Sequence, residues 1–186
     1  MEGGTCINYK AKNLFLISSK QIIMKVLVFG PSGAGKTYVS HALQNQGINA
    51  FDDGDIEGLS AWYDRNGKKV PPPQTADEAL ANHYSFLWSK KFLTGFLNRF
   101  SDVYLFGGSG NLFSVLDLFD KVFFLKIDPE LQRRRLMSPS RPTPLMDRND
   151  DGFIIWGDWL EEEARKRGIP MVDASLTPQQ IFEKIR

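Results

Sequence analysis

Lys25-Val26-Leu27-Val28-Phe29-Gly30-Pro31-Ser32-Gly33-Ala34-Gly35-Lys36-Thr37 decides the fold. Its last eight residues satisfy G-x-x-x-x-G-K-[ST], the spacing of a phosphate-binding loop. The short apolar run before them reads as a buried strand. Residues 37–46 read as a helix closed by Gly47. Strand, glycine loop and helix in that order turn backbone N–H groups and a helix N-terminus toward an anion. The glycines remove the Cβ atoms that would crowd it. Gly30, Ser32, Gly33, Ala34, Gly35, Lys36 and Thr37 are therefore the expected nucleotide-binding residues. Lys36 is expected to reach the β- and γ-phosphates of ATP, and the Thr37 hydroxyl to ligate Mg²⁺.

At 186 residues the chain is long enough to bury one sizeable core. With 42% hydrophobic and 24% charged residues, its composition marks neither a membrane nor a disordered class. A net charge of +1 leaves no global field to draw nucleic acid or an anionic membrane. The single cysteine, Cys6, excludes an internal disulfide and a cysteine metal cluster. No apolar stretch approaches the roughly 20 residues of a membrane span. The apolar core at residues 14–17 is too short for a signal peptide. A cytoplasmic protein is expected. Residues 1–23 read as an N-terminal extension, or Met24 is the start, and residues 24–186 read as one domain.

Strand and helix patterns then alternate, which argues an α/β domain with a mostly parallel sheet. Further strands are expected at 48–51, 103–106, 122–127 and 169–172. Asp64-Arg65-Asn66-Gly67 is a turn signal, and Pro71-Pro72-Pro73 stops any helix. Thr75-Ala76-Asp77-Glu78 is a capping box. It is expected to open a long helix reaching about Arg99, with Leu80, Tyr84, Leu87, Trp88 and Phe92 on its apolar side. Asp128-Pro129 is an N-cap followed by proline at the first helical position. The helix it opens carries Arg133, Arg134 and Arg135. Residues 138–151 are a Pro- and Arg-rich loop. A helix over 153–167 ends at Gly168, and Thr177-Pro178-Gln179-Gln180 caps a last short helix.

Several stretches resemble the small P-loop kinases, the group of shikimate kinase, gluconate kinase and the nucleoside monophosphate kinases, and shikimate kinase in particular. Phe51-Asp52-Asp53-Gly54-Asp55 is similar to that family's acidic pair after strand two. Ala61-Trp62-Tyr63-Asp64-Arg65-Asn66-Gly67 is similar to the segment that follows it. Leu105-Phe106-Gly107-Gly108 resembles its glycine turn after strand three. Ser140-Arg141-Pro142-Thr143-Pro144-Leu145 resembles the Arg-Pro opening of its lid. Ile169-Pro170-Met171-Val172-Asp173-Ala174-Ser175 resembles the adenine-side end of the group. The resemblance spans residues 24–186. It implies a P-loop NTPase domain with three α/β/α layers and a five-stranded parallel sheet in the order 2-3-1-4-5. It also implies an acceptor region over about 53–100 and a lid over about 138–151. The implied activity transfers the γ-phosphoryl group of ATP to a hydroxyl or phosphate of a small metabolite, with Mg²⁺. The implied partners are ATP and that acceptor, with no nucleic acid or membrane, in a monomer or small homo-oligomer.

The chemistry fits these positions, because phosphoryl transfer needs positioning and charge neutralisation more than covalent help. Asp53 would hold Mg²⁺ through water. Asp55, two residues on and on the same side of a persisting strand, would accept the acceptor's proton. Gly107 and Gly108 would let an acceptor approach the backbone. Arg134 or Arg135 could stack on adenine, and Arg141 could clamp the transferring phosphate. His41 and His83 read as structural. Shikimate kinase's arginine-bearing stretch, which grips the substrate carboxylate, has no clear counterpart between Gly67 and Thr75. Residues 147–158 follow the EF-hand ligand spacing, but with Asp158 in place of the closing Glu and no clean entering helix. They read as a lid turn and helix cap. Asp55-Ile56-Glu57-Gly58 matches a GTPase-like D-x-x-G, yet no N-K-x-D follows, and strand three ends without an acid. The rival readings are a nucleotide switch without an acceptor and a nucleotide-binding protein without turnover.

Overall fold

The computed structural model describes residues 24–138 and 152–186. The expected extension over 1–23 lies outside the described residues, as do Arg141, Arg148 and nearly all of the expected lid. Residues 147–151 of the EF-hand-like stretch lie outside them too.

The chain runs β1 (Met24–Phe29), α1 (Lys36–Gln44), β2 (Ala50–Asp52), one 3-10 turn (Asp53–Asp55), β3 (Ser60–Tyr63) and β4 (Lys69–Val70). It continues with α2 (Ala76–Ala81), β5 (Ser85–Trp88), α3 (Lys90–Leu97), β6 (Asp102–Phe106), two 3-10 turns and β7 (Lys121–Lys126). It closes with α4 (Pro129–Leu136), α5 (Gly152–Lys166), β8 (Met171–Asp173) and α6 (Pro178–Ile185). Five strands form a parallel sheet in the order β2-β6-β1-β7-β8. These are the five strands read from the sequence, in the expected order with the phosphate-loop strand at the centre.

Alternation along β1 explains the layers. Leu27 and Phe29 point into a core shared with Leu93 and Leu97 of α3 and Leu160 and Ala164 of α5. Val26 and Val28 point the other way, onto Val39 and Leu43 of α1 and Ile181 and Ile185 of α6. All four β1 residues are fully buried. A central parallel strand covered on both faces reads as a continuous apolar run, as Val26-Leu27-Val28-Phe29 does. Burying each such side chain contributes about 1.5–3 kcal/mol.

Local signals set the helix ends. The Asp128 carboxylate accepts from Glu130 N and Leu131 N. Thr177 and Gln180 cap α6 reciprocally. Gly47 and Gly168 sit at positive φ just past α1 and α5, where glycine carries no Cβ penalty.

The region between β2 and β6 corrects the long helix expected over about 75–99. Thr75 does cap a helix, but α2 stops at Ala81. His83 then takes a left-handed φ of 54°. Ser85–Trp88 is a strand, and Ser89 caps a second helix, α3. β4, β3 and β5 form a small antiparallel sheet. Leu80, Tyr84, Leu87 and Trp88 have helical spacing, but Ser85-Phe86-Leu87-Trp88 also alternates. Pairing with Ser60–Tyr63 decides in favour of the strand. The Asp64–Gly67 turn forms as read, with Asp64 Oδ1 accepting from Asn66 N and Lys68 N.

Candidate functional site

β1 ends at Phe29 and the chain enters the glycine loop. A Cβ on Gly30 would lie 2.7 Å from the Leu125 carbonyl oxygen, so only glycine lets the loop leave β1 against β7. Gly33 and Gly35 have φ of 87° and 94°, left-handed values that an L side chain resists. These turns bring α1 in from Lys36, so its first-turn amides face the hollow of the loop. Lys36 Nζ donates to the carbonyls of Gly30 at 2.8 Å and Pro31 at 3.0 Å. Its ammonium therefore sits across the mouth of the loop. Thr37 is exposed at the start of α1.

Two side chains from α4 brace the loop from behind. Gln132, almost wholly buried, donates to Ser32 O at 2.9 Å. Arg135 Nη1 donates to the carbonyls of Gly33 and Ala34, and its Nη2 reaches Ala174 O past β8 at 3.1 Å. Of the two arginines expected near adenine, Arg135 thus has the edge of its guanidinium on three carbonyls. Arg134 is exposed on α4. Gln132 was not singled out in the sequence. A glutamine beside three arginines on a capped helix looks solvent-facing, and only the packing of α4 on the loop shows otherwise.

β2 brings the acidic run to the loop but ends at Asp52, and the chain turns at once into a 3-10 turn. The side-chain alternation assumed for Asp53 and Asp55 is lost there. Asp52, nearly buried, accepts from Gly54 N at 3.1 Å and holds the turn. Asp53 points inward. Its Oδ2 accepts from Trp88 Nε1 at 3.0 Å and Gly108 N at 3.2 Å. Asp55 points outward and meets His41 Nε2 of α1 at 2.5 Å, with both side chains about half exposed. The two carboxylates therefore do not share a side.

Burial, with the charge of Asp52 added, raises the Asp53 pKa from 3.8 to about 6. The Gly108 N–H, the Lys36 ammonium and the Trp88 indole oppose that rise. Gly107 corrects a further expectation. A Cβ there would lie 2.3 Å from Asp53 Cγ, so this glycine makes room for the carboxyl and not for an acceptor.

Sequence spacing puts Trp88 on the apolar side of a helix and carries no sign of its bond to Asp53. Asn111 fixes it by accepting from Trp88 N and donating to Trp88 O. Gly110 N donates to Phe86 O in the same clamp, at 2.7 Å. The small sheet is thus bolted to the loop after β6.

Among the described residues, no group of three or more His, Cys, Asp and Glu side chains could cage a metal. A nucleotide-borne Mg²⁺ needs one or two protein oxygens and keeps its waters. The Thr37 hydroxyl and Asp53 Oδ1, the oxygen left over by Trp88 and Gly108, are hard donors suited to it. A cavity of about 610 Å³ is lined by Pro31, Lys126, Asp128, Gln132, Gly157 and Glu161 among others. Its lining includes none of Lys36, Thr37 and Asp53. Among the described residues no helix is long and apolar enough to cross a membrane.

No family model matches the chain, and no curated protein matches it in sequence. Among solved structures it is similar to shikimate kinase from Bacteroides thetaiotaomicron. The TM-score is 0.45 and the identity 19%, over 81% of this chain and 86% of that one. At that distance no residue role passes from the one protein to the other.

Proposed function

We propose that this chain is an ATP-dependent phosphotransferase that moves the γ-phosphoryl group of ATP onto a hydroxyl or phosphate of a small metabolite. One observation carries the reading. A complete phosphate loop presents Lys36 at its mouth, and an inward-facing carboxylate, Asp53, lies close enough for that ammonium to bear on its pKa. The glycine-loop amides and the N-terminus of α1 bind the phosphates. Lys36 leaves the Gly30 and Pro31 carbonyls to neutralise the β- and γ-oxygens. Thr37 and Asp53 would hold a magnesium ion, Asp53 through water, and that ion would supply charge neutralisation at the phosphates. Asp55, turned to His41, is set aside as the proton acceptor.

The test is ADP formation with and without candidate acceptors, beside ATP calorimetry on the wild type and Lys36→Ala. An acceptor-stimulated rate, lost together with ATP affinity in the variant, supports the reading. Unchanged affinity and turnover in Lys36→Ala would overturn it. ADP release that no acceptor stimulates would favour a nucleotide switch.

A further inference from the structure

Residues directly opposed in an antiparallel sheet share a face. Ser60 faces Trp88, Trp62 faces Phe86, and Trp62 also faces Val70. These five residues therefore form one face of the small sheet. Tyr63, Lys69, Ser85, Ala61 and Leu87 form the other. Trp88 shows where the first face looks, because its indole N–H ends on Asp53. The Trp62 and Phe86 rings pack at 5.5 Å and continue that face away from the carboxylate. Both are half-buried, and neither belongs to the two packed cores. Trp156 of α5, 39% exposed, comes within 4.0 Å of where a Gly108 side chain would begin. Gly108 in turn donates to Asp53.

None of the five sheet side chains of this face is charged. Lys69, the sheet's own cation, is on the opposite face, and Lys36 is committed to the phosphate loop. A carboxylate or phosphate carried by the acceptor would lose its hydration there without a counter-charge. A flat, uncharged ring would gain stacking area.

We infer that the acceptor is a neutral molecule with a planar ring body and a free hydroxyl. This rests on the phosphotransferase reading. The ring lies along the Trp62–Phe86 face, with Trp156 opposite, and the hydroxyl points at Asp53. The hydroxyl oxygen bonds to the γ-phosphorus of ATP, and the bond from that phosphorus to the β–γ bridging oxygen breaks. ADP leaves with the bridging oxygen, and the hydroxyl proton passes to water.

The experiment follows transfer from γ-labelled ATP to adenosine and cytidine, which are neutral, planar-ringed and hydroxylated. Gluconate, shikimate and AMP serve as charged acceptors. Label on a nucleoside and on none of the charged acceptors is expected. Label on a charged acceptor overturns the inference, and so does label on none of the five while calorimetry shows ATP·Mg²⁺ bound. Failure to bind ATP·Mg²⁺ at all defeats the phosphotransferase reading instead. With the labelled nucleoside, Trp62→Ala is expected to raise KM about tenfold, the scale of one stacked base, with kcat within about threefold. Trp62→Phe is expected to restore KM. An unchanged KM in Trp62→Ala overturns the inference. Should Trp62→Ala fail to fold, Trp156→Ala is judged by the same KM criterion.

Discussion

Asp53 is where position and stability pull apart. Its carboxyl ionises near 3.8 when unfolded and at about 6 in the fold. Between those values the native state holds more protons than the unfolded chain, so stability falls as pH rises through that window. Above about pH 6 the ionised group costs up to about 3 kcal/mol. Asp53→Asn keeps an oxygen for Trp88 and Gly108 but carries no charge. Urea denaturation should find it at least as stable as the wild type at about pH 7, with the advantage gone near pH 4. Its Mg²⁺-dependent turnover should fall at least about tenfold. A variant less stable than the wild type at pH 7 would contradict the burial argument. Gly107 makes the reverse case. Its Cβ would overlap the Asp53 carboxyl, so Gly107→Ala should lose about 1–3 kcal/mol and turnover together. Retained turnover would mean that Asp53 is not needed where it stands.

At the scale of elements, the small sheet separates what local pattern shows from what it hides. The strand–loop–helix unit, the Asp128 and Thr177 caps and the Asp64–Gly67 turn were legible, because each depends on residues within a few positions of one another. The break at His83 was not. Nothing within a helix turn of Tyr84 says that Ser60–Tyr63, more than 20 residues earlier, will take Ser85–Trp88 as a partner. The inward turn of Asp53 and outward turn of Asp55 were hidden for the same reason. A strand pattern does not report that β2 ends at Asp52, nor that His41 waits one helix away. His83 is the hinge of that break and can be tested alone. A β-branched side chain resists its φ of 54°, so His83→Val should cost about 1–2 kcal/mol. His83→Gly should be as stable as the wild type or more so. Equal stability of the valine and glycine variants by denaturant titration would show that the left-handed turn is not needed.

For the molecule as a whole, ligand and fold should stabilise one another. ATP with Mg²⁺ at about a hundred times its dissociation constant adds about 2.7 kcal/mol to a protein that binds only when folded. For a chain of 186 residues that is a rise of about 5–10 °C in melting temperature. Lys36→Ala should lose most of the rise, and chelating the magnesium should lose part of it. A melting temperature indifferent to ATP in the wild type would count against nucleotide binding. The central place of β1 has a further consequence, during synthesis. Val26–Phe29 cannot be covered by near neighbours, because β1 pairs with β6 across 78 residues (Met24 against Asp102) and with β7 across 95 (Val26 against Lys121). At about 5–20 residues per second, the ribosome leaves this apolar strand without its second neighbour for about 5–20 s. A nascent chain released before β7 has been made would carry β1 with one edge bare, ready to pair with another chain. Solubility on release should therefore rise abruptly once translation has passed Lys126.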